Sequence, residues 1–108
     1  MIDEISFERM EGFEWDRGNS NKNRLAHRVN DGEAEEIFFY EPLLFFEDTK
    51  HSDQEKRYYA LGQTHDARKL FCAFTIRENN IRIISARDMS KRERERYAKA
   101  TEKHSKIS

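Results

Sequence analysis

Apolar residues recur at helical spacing in the second quarter of the chain. Ile37 and Phe38 lie three and four residues after Ala34, among glutamates, which predicts a short amphipathic helix over Asn30–Tyr40. Pro42 cannot continue a helix and marks its end. The pattern changes beyond this proline, because apolar runs bounded by polar clusters replace the helical spacing.

Four of these apolar runs have the composition of β-strands, being rich in aromatic and β-branched residues. The separations between the last three are short and polar, as in hairpins, so the sheet is expected to be largely antiparallel. The predicted strands are Leu43–Phe46, Arg57–Gly62, Leu70–Arg77 and Ile81–Arg87.

Both ends of the chain carry a further helix signal. Ser90 and Glu93 match the capping box that opens a helix, and a strongly charged C-terminal helix follows, with fraying expected near Lys103. Asp16 suits an N-cap, so we predict another helix over Asp16–His27, although its asparagines are weak helix formers. An extended segment precedes that helix.

The order of these elements predicts an α+β fold, with a sheet of about four to five strands, two N-terminal helices and one C-terminal helix. A length of 108 residues suits one domain. We expect residues 13–104 to form it, residues 1–12 to be an N-terminal extension and residues 105–108 to be a tail.

Charge is unevenly distributed along the chain. The net charge is -1, but residues 1–76 carry 10 basic and 16 acidic side chains, and residues 77–108 carry 10 basic and 5 acidic ones. A basic C-terminal third can offer a cationic surface to a polyanion, so nucleic acid is the first candidate partner. The acidic N-terminus and the lack of a long apolar window predict a cytoplasmic protein without a membrane partner.

No cofactor or metal is predicted. The chain lacks the glycine-rich nucleotide motifs and the serine-hydrolase motif, and its four histidines do not have zinc-ligand spacing. A single cysteine, Cys72, alternates with apolar residues on a predicted strand, so we expect it to be buried and inert.

Candidate catalytic residues lie on or beside the predicted strands. Arg57, Arg82 and Arg87 could direct guanidinium groups at one phosphate, and His51 and Glu55 could transfer protons. RNA cleavage without a metal needs this combination. A regular strand would place Arg82 and Arg87 on opposite faces, and we favour Arg87 for the site.

The alternative is that these arginines are solvated strand residues balanced by nearby glutamates, and that His51 is a loop histidine bonded to a carboxylate. Trp15 and Tyr97 could stack on a base, although filling the core is the simpler role for both.

Five blocks of sequence together resemble the BrnT family of bacterial toxins. The most specific is Ile83-Ile84-Ser85-Ala86-Arg87, followed by Arg94 and Tyr97, and the resemblance runs from Phe13 to about Ala98. The earlier blocks are Phe13-Glu14-Trp15-Asp16, Asn23 with His27 and Val29, Glu33 to Phe38, and His51-Ser52 with Glu55, Arg57 and Gly62.

The resemblance implies a RelE-like fold and a ribonuclease that inhibits translation. It also implies a cognate antitoxin with a ribbon-helix-helix DNA-binding region, through which alone the toxin would reach operator DNA. His51, Glu55, Arg57 and Arg87 would then be catalytic, and Arg82, Arg94, Tyr97 and His27 would bind RNA.

Two other functions remain open from the sequence. A catalytically weakened relative would serve as an antitoxin-binding corepressor of its operon. A plain nucleic-acid-binding module would show salt-dependent RNA binding without cleavage.

Overall fold

The computed structural model describes residues 10–15, 27–51 and 55–107, with the backbone alone at His51 and at 103–107. Within these residues, five strands form one sheet in the order β1-β5-β4-β3-β2. The strands are β1 (Gly12–Phe13), β2 (Leu44–Glu47), β3 (Tyr58–Gln63), β4 (Lys69–Arg77) and β5 (Asn80–Asp88). Strand β1 runs parallel to β5 and the other pairs are antiparallel, which confirms the predicted α+β class.

Two α-helices lie in the described ranges, α1 (Asp31–Glu36) and α2 (Lys91–Ile107), and a 3₁₀ helix (Thr49–His51) follows β2. Helix α1 is shorter than predicted, because the chain leaves the helix in turns beyond its C-cap at Ile37. The helix predicted over Asp16–His27 lies almost entirely outside the described residues. The count of two N-terminal helices is therefore not confirmed.

Capping residues fix where both helices begin. Asn30 accepts a hydrogen bond from the Glu33 amide at 2.7 Å, and the Glu33 carboxylate accepts one from the Asn30 amide. Ser90 and Glu93 form the predicted box at the start of α2, with bonds of 2.8 and 3.2 Å. Helix α2 then continues to Ile107, past the predicted fraying at Lys103.

The two helices pack on opposite faces of the sheet. Ala34 and Ile37, from α1 and its C-cap, join a core that includes Leu70, Cys72 and Phe74 of β4. We call this side the α1 face. On the other side, the α2 face, Tyr97 of α2 packs in a smaller cluster with Leu61, Met89, Leu44 and Phe71.

The β4–β5 hairpin turns at Glu78 and Asn79, whose φ angles are both positive, at 49° and 67°. Positive φ at both central residues is the geometry of a type I′ turn, which matches the twist of antiparallel strands. The short polar separation predicted a hairpin here, and the pairing of Arg77 with Asn80 confirms it.

A β-bulge in β5 changes which side chains share a face. Ala73 pairs with Ser85 but the next residue, Phe74, pairs with Ile83, so Ile84 is an extra residue in the ladder. Counting along a regular strand predicted that Arg82 and Arg87 point to opposite faces, and that prediction is wrong. The bulge shifts the alternation by one residue and puts both on the α2 face.

Candidate functional site

Three rows of cross-strand neighbours cover the α2 face beside helix α2. In the first row Phe71 pairs with Arg87, in the second Ala73 pairs with Ser85, and in the third Thr75 pairs with Arg82. The third row extends to Arg57, the residue that precedes β3, because Tyr58 pairs with Phe74 and the residue before it falls level with Thr75.

The middle row forms a shallow floor between two cationic ends. Ala73 and Ser85 have small, half-buried side chains. Along β4, the first and third rows each lie two residues from the middle row, in opposite directions. The Cα atoms of Phe71 and Thr75 are therefore about 13 Å apart. Arginines therefore border the floor at both ends, Arg87 at one and Arg57 with Arg82 at the other.

At the first end, Arg87 is held by contacts on several sides. Its guanidinium lies 4.0 Å over the Phe71 ring and donates two hydrogen bonds to the Glu93 carboxylate, at 2.8 and 3.0 Å. Burial by itself would raise the pKa of the Glu93 carboxyl, but the hydrogen bonds from Arg87 and Ser90 outweigh it, and that pKa is lowered. Glu93 therefore both caps the start of α2 and orients the Arg87 guanidinium.

At the opposite end, arginines and carboxylates alternate. Arg77 donates hydrogen bonds of 2.8 and 3.1 Å to Glu55, and Arg82 donates one of 3.3 Å to Glu14. The hydrogen bonds from Arg77 lower the pKa of the Glu55 carboxyl, with Arg82 and Arg57 adding to the effect. Glu55 is therefore an ionised carboxylate at neutral pH, unsuited to donating a proton.

His51 ends the 3₁₀ helix in the connection between β2 and β3. That connection lies at the same end of the sheet as the Arg57 row, since Glu47, the last residue of β2, pairs with Tyr58, the first of β3. The backbone thus brings His51 to the same end of the sheet as Glu55, Arg57 and Arg82. Its side chain lies outside the described residues.

The hydroxyl of Thr75 lies between the arginines of the third row. Its Oγ1 is buried and has no hydrogen-bond partner in the described part of the chain. Buried hydroxyl groups normally have a partner, so an unpaired one needs an explanation. This atom marks the centre of the cationic end.

The remaining predicted RNA-binding residues lie elsewhere. Tyr97 is buried, donates a 2.6 Å hydrogen bond to the Pro42 carbonyl, and has its pKa raised to about 12 by that burial, so its ring presents no face to a base. Arg94 is exposed on α2 and donates to the Met89 carbonyl at 2.8 Å. His27 is exposed near Asp88, at the far end of β5 from the Arg57 row.

Trp15 and Cys72 contribute to the core, as the sequence predicted. Trp15 packs against the core and donates a 2.6 Å hydrogen bond from its indole nitrogen to Glu35. Cys72 is fully buried, which raises the pKa of its thiol.

Arg68 is a cationic residue whose structural role sequence reasoning missed. Its guanidinium bonds both oxygens of Asp88, at 2.8 and 3.1 Å, and also the Glu33 carboxylate and the Arg28 carbonyl at 2.9 Å. It therefore joins the end of β5 to helix α1. A lone arginine in a turn carries no sequence signal for this role.

Within the described residues, no group of three or more His, Cys, Asp or Glu side chains could hold a metal ion, and no helix has the length and hydrophobicity needed to cross a bilayer.

Comparison with known proteins identifies a family. The family model described as "Ribonuclease toxin, BrnT, of type II toxin-antitoxin system" matches residues 15–93, which include helix α1, strands β2 to β5 and the first residues of α2. No curated protein sequence matches the chain. Because the family model covers most of the molecule, the chain belongs to the BrnT family of ribonuclease toxins of type II toxin–antitoxin systems.

Proposed function

We propose that the protein is an endoribonuclease that cleaves RNA on the α2 face without a metal ion, and so inhibits translation. The observation that carries this proposal is the floor of Ala73 and Ser85 bordered by arginines at both ends. A phosphodiester on this floor can be approached by Arg87 from one end and by Arg57 or Arg82 from the other. Guanidinium groups fixed there would stabilise the extra charge of a phosphorane.

Proton transfer in this mechanism falls to His51. An imidazole titrates near neutral pH, so it can take the proton of the ribose 2′-OH and return one to the leaving 5′ oxygen. Glu55 is the second group proposed for the site. As an ionised carboxylate beside Arg57 and Arg82, it supports the arginines electrostatically and can accept a proton but not supply one.

Family membership implies an antitoxin partner. We further propose that this antitoxin carries a ribbon-helix-helix DNA-binding region, covers the cationic face with acidic or apolar segments, and brings the toxin to operator DNA in the cytoplasm. We also propose that the fold is RelE-like and that the toxin domain spans residues 13–104. A toxin harmful to its host must be kept inactive, and blocking the phosphate site achieves this directly.

The test is cleavage of RNA by purified protein in the presence of EDTA, followed by identification of the new ends. We expect cleavage to persist and to leave a 2′,3′-cyclic phosphate or a 3′-phosphate, because a 2′-OH nucleophile produces these ends. Loss of activity in EDTA with rescue by Mg²⁺ would instead show metal-assisted hydrolysis and overturn the mechanism.

Two variants separate the site from the rest of the surface. His51→Ala combined with Arg57→Ala should abolish cleavage. Lys99→Ala removes one positive charge from an exposed position of α2 and should leave the rate unchanged. Equal rates for the double variant and the wild type would remove these residues from the mechanism.

A second function, antitoxin-binding corepressor, is favoured by one observation. Arg77, Arg82 and Arg87 each pair with a carboxylate of this same chain, which reduces the positive charge available to RNA. A corepressor would show no RNA cleavage but would tighten operator binding by the antitoxin. Measuring both activities on one preparation distinguishes the two functions.

A further inference from the structure

An aromatic row crosses the α2 face from β2 to β4, with an arginine at each end. Phe46 lies 5.1 Å from Tyr59, and Tyr59 lies 5.5 Å from Phe71 with the two rings stacked. The guanidinium of Arg96 lies 3.9 Å over Phe46, and that of Arg87 lies 4.0 Å over Phe71. We call these five residues the aromatic row.

The row is partly exposed on the α2 face. All three rings are partly accessible, and Arg96 is exposed. The buried cluster beneath α2 is made by Leu61, Met89 and Tyr97, and Phe71 packs against it. The guanidinium groups over Phe46 and Phe71 add positive charge to this partly exposed surface.

Aromatic rings and flat guanidinium planes side by side are the surface on which unpaired bases stack. Arg96 also donates a 3.3 Å hydrogen bond to the Tyr59 hydroxyl, a further contact between this guanidinium and the row. Tyr59 pairs with Ala73 of the floor, so the row lies directly beside the proposed phosphate site. A strand with its phosphate on the floor would have its neighbouring bases over the row.

We propose that the aromatic row binds the bases of single-stranded RNA next to the cleaved phosphate, and thereby selects single-stranded over double-stranded RNA. This inference rests on the proposed function, because it uses the same face and the same substrate. The bases of a duplex are already stacked on one another, so only an unpaired segment can lay its bases on Tyr59 and the two guanidinium planes.

Binding is measured with a short fluorescent 2′-O-methyl RNA, which lacks the 2′-OH nucleophile and cannot be cleaved by the proposed mechanism. Fluorescence anisotropy at physiological salt gives Kd for this strand and for its duplex. We expect Arg96→Ala and Tyr59→Leu each to weaken single-strand binding by about fivefold or more, from the usual contribution of one stacked base. Tyr59→Phe keeps the ring and should bind within about twofold of the wild type.

Lys99→Ala is the matched control for charge. Lys99 lies two residues after the buried Tyr97, about 200° around the helix, and so on the side turned away from the sheet. The Lys99→Ala substitution removes one positive charge from α2, as Arg96→Ala does. If both variants weaken binding equally, the effect is one of net charge and the proposal is overturned.

Photo-crosslinking gives a readout that does not depend on how well a variant folds. A strand carrying 5-iodouridine should crosslink to the wild-type peptide that contains Tyr59 or the one that contains Phe46. Crosslinks confined to other peptides would overturn the proposal. So would Arg96→Ala and Tyr59→Leu variants that lose the antitoxin but keep RNA binding, since the row would then be a protein interface.

The two hypotheses fail in different ways. If the wild type cleaves ordinary RNA while the row variants bind the 2′-O-methyl strand normally, only the aromatic row is overturned. If the wild type does not cleave but the row variants lose binding, the row stands and the enzymatic proposal fails.

Discussion

Glu93 shows how one side chain can serve both a helix and a site. Its carboxylate completes the capping box of α2 through the Ser90 amide and also accepts two hydrogen bonds from Arg87. The sequence motif identified the first role. The second depends on where β5 ends relative to α2, because Arg87 precedes the helix and can meet the third residue of α2 only if the chain folds back there.

Glu93→Gln separates these two roles. Glutamine is accepted at this position of a capping box, so the start of α2 should be kept and the melting temperature should fall only by the small contribution of the lost ion pair with Arg87. The neutral amide holds the Arg87 guanidinium less firmly, and we expect the RNA cleavage rate to fall about tenfold or more, since small misplacements of a catalytic group are costly. Ser90→Ala is the control: it should lower stability by about 1 kcal/mol and leave the rate unaltered. An unchanged rate in Glu93→Gln would count against positioning by Glu93.

At the scale of the element, α1 sits on the sheet because β3 has a glycine beneath it. A Cβ atom at Gly62 would come within 2.9 Å of the Ile37 Cβ and 3.2 Å of the Ile37 carbonyl oxygen. The close approach lets the C-cap of α1 reach the core. It also fixes how near the helix can lie to the sheet.

We expect Gly62→Ala to destabilise the fold by about 1–3 kcal/mol, because backbone and core atoms must move to admit one methyl group. Gly32→Ala is a matched control within α1 itself. Its Cβ would meet only the Asn30 side chain, at 3.4 Å, and alanine favours a helix by about 1 kcal/mol over glycine. Chemical denaturation of both variants measures the difference, and a Gly62→Ala protein as stable as the wild type would contradict the tight packing.

The strands were the most predictable elements, and their boundaries lie within about one residue of the expected positions. The alternation of side chains between the two faces of the sheet, however, was predicted wrongly for β5. The extra residue Ile84 reverses the alternation, and nothing in a run of apolar and polar residues marks a bulge. Pairing with β4 decides it.

At the scale of the whole molecule, three arginine–carboxylate pairs make stability depend on pH. A hydrogen bond from Arg68 lowers the pKa of Asp88, and one from Arg77 lowers the pKa of Glu55. The pKa of Glu93 is also lowered, as described above. Each folded pKa lies below its ordinary value of 3.8 or 4.5. Such groups stabilise the fold above the ordinary pKa, and that contribution is lost as pH falls through the folded one.

The melting temperature should therefore stay nearly level from neutral pH to about pH 5 and fall progressively in more acidic solution. Asp88→Asn removes one contributor: we expect a lower melting temperature at neutral pH and a shallower decline in acid. Scanning calorimetry across this range checks both. A wild-type melting temperature that stays level down to about pH 3 would show that the pairs contribute nothing to folding.

The sequence by itself determined the α+β class, strands β2 to β5, the cap of α2 and the basic C-terminal third, because these depend on local composition, spacing and capping chemistry. It also carried the motifs of the BrnT family. Only the tertiary structure decided which side chains meet: that Arg57 falls level with Arg82, that the bulge at Ile84 brings Arg82 and Arg87 to one face, and that Tyr97 is turned inward. These outcomes rest on strand register and on the packing of α2, which join residues far apart in the chain and leave no periodic trace in it.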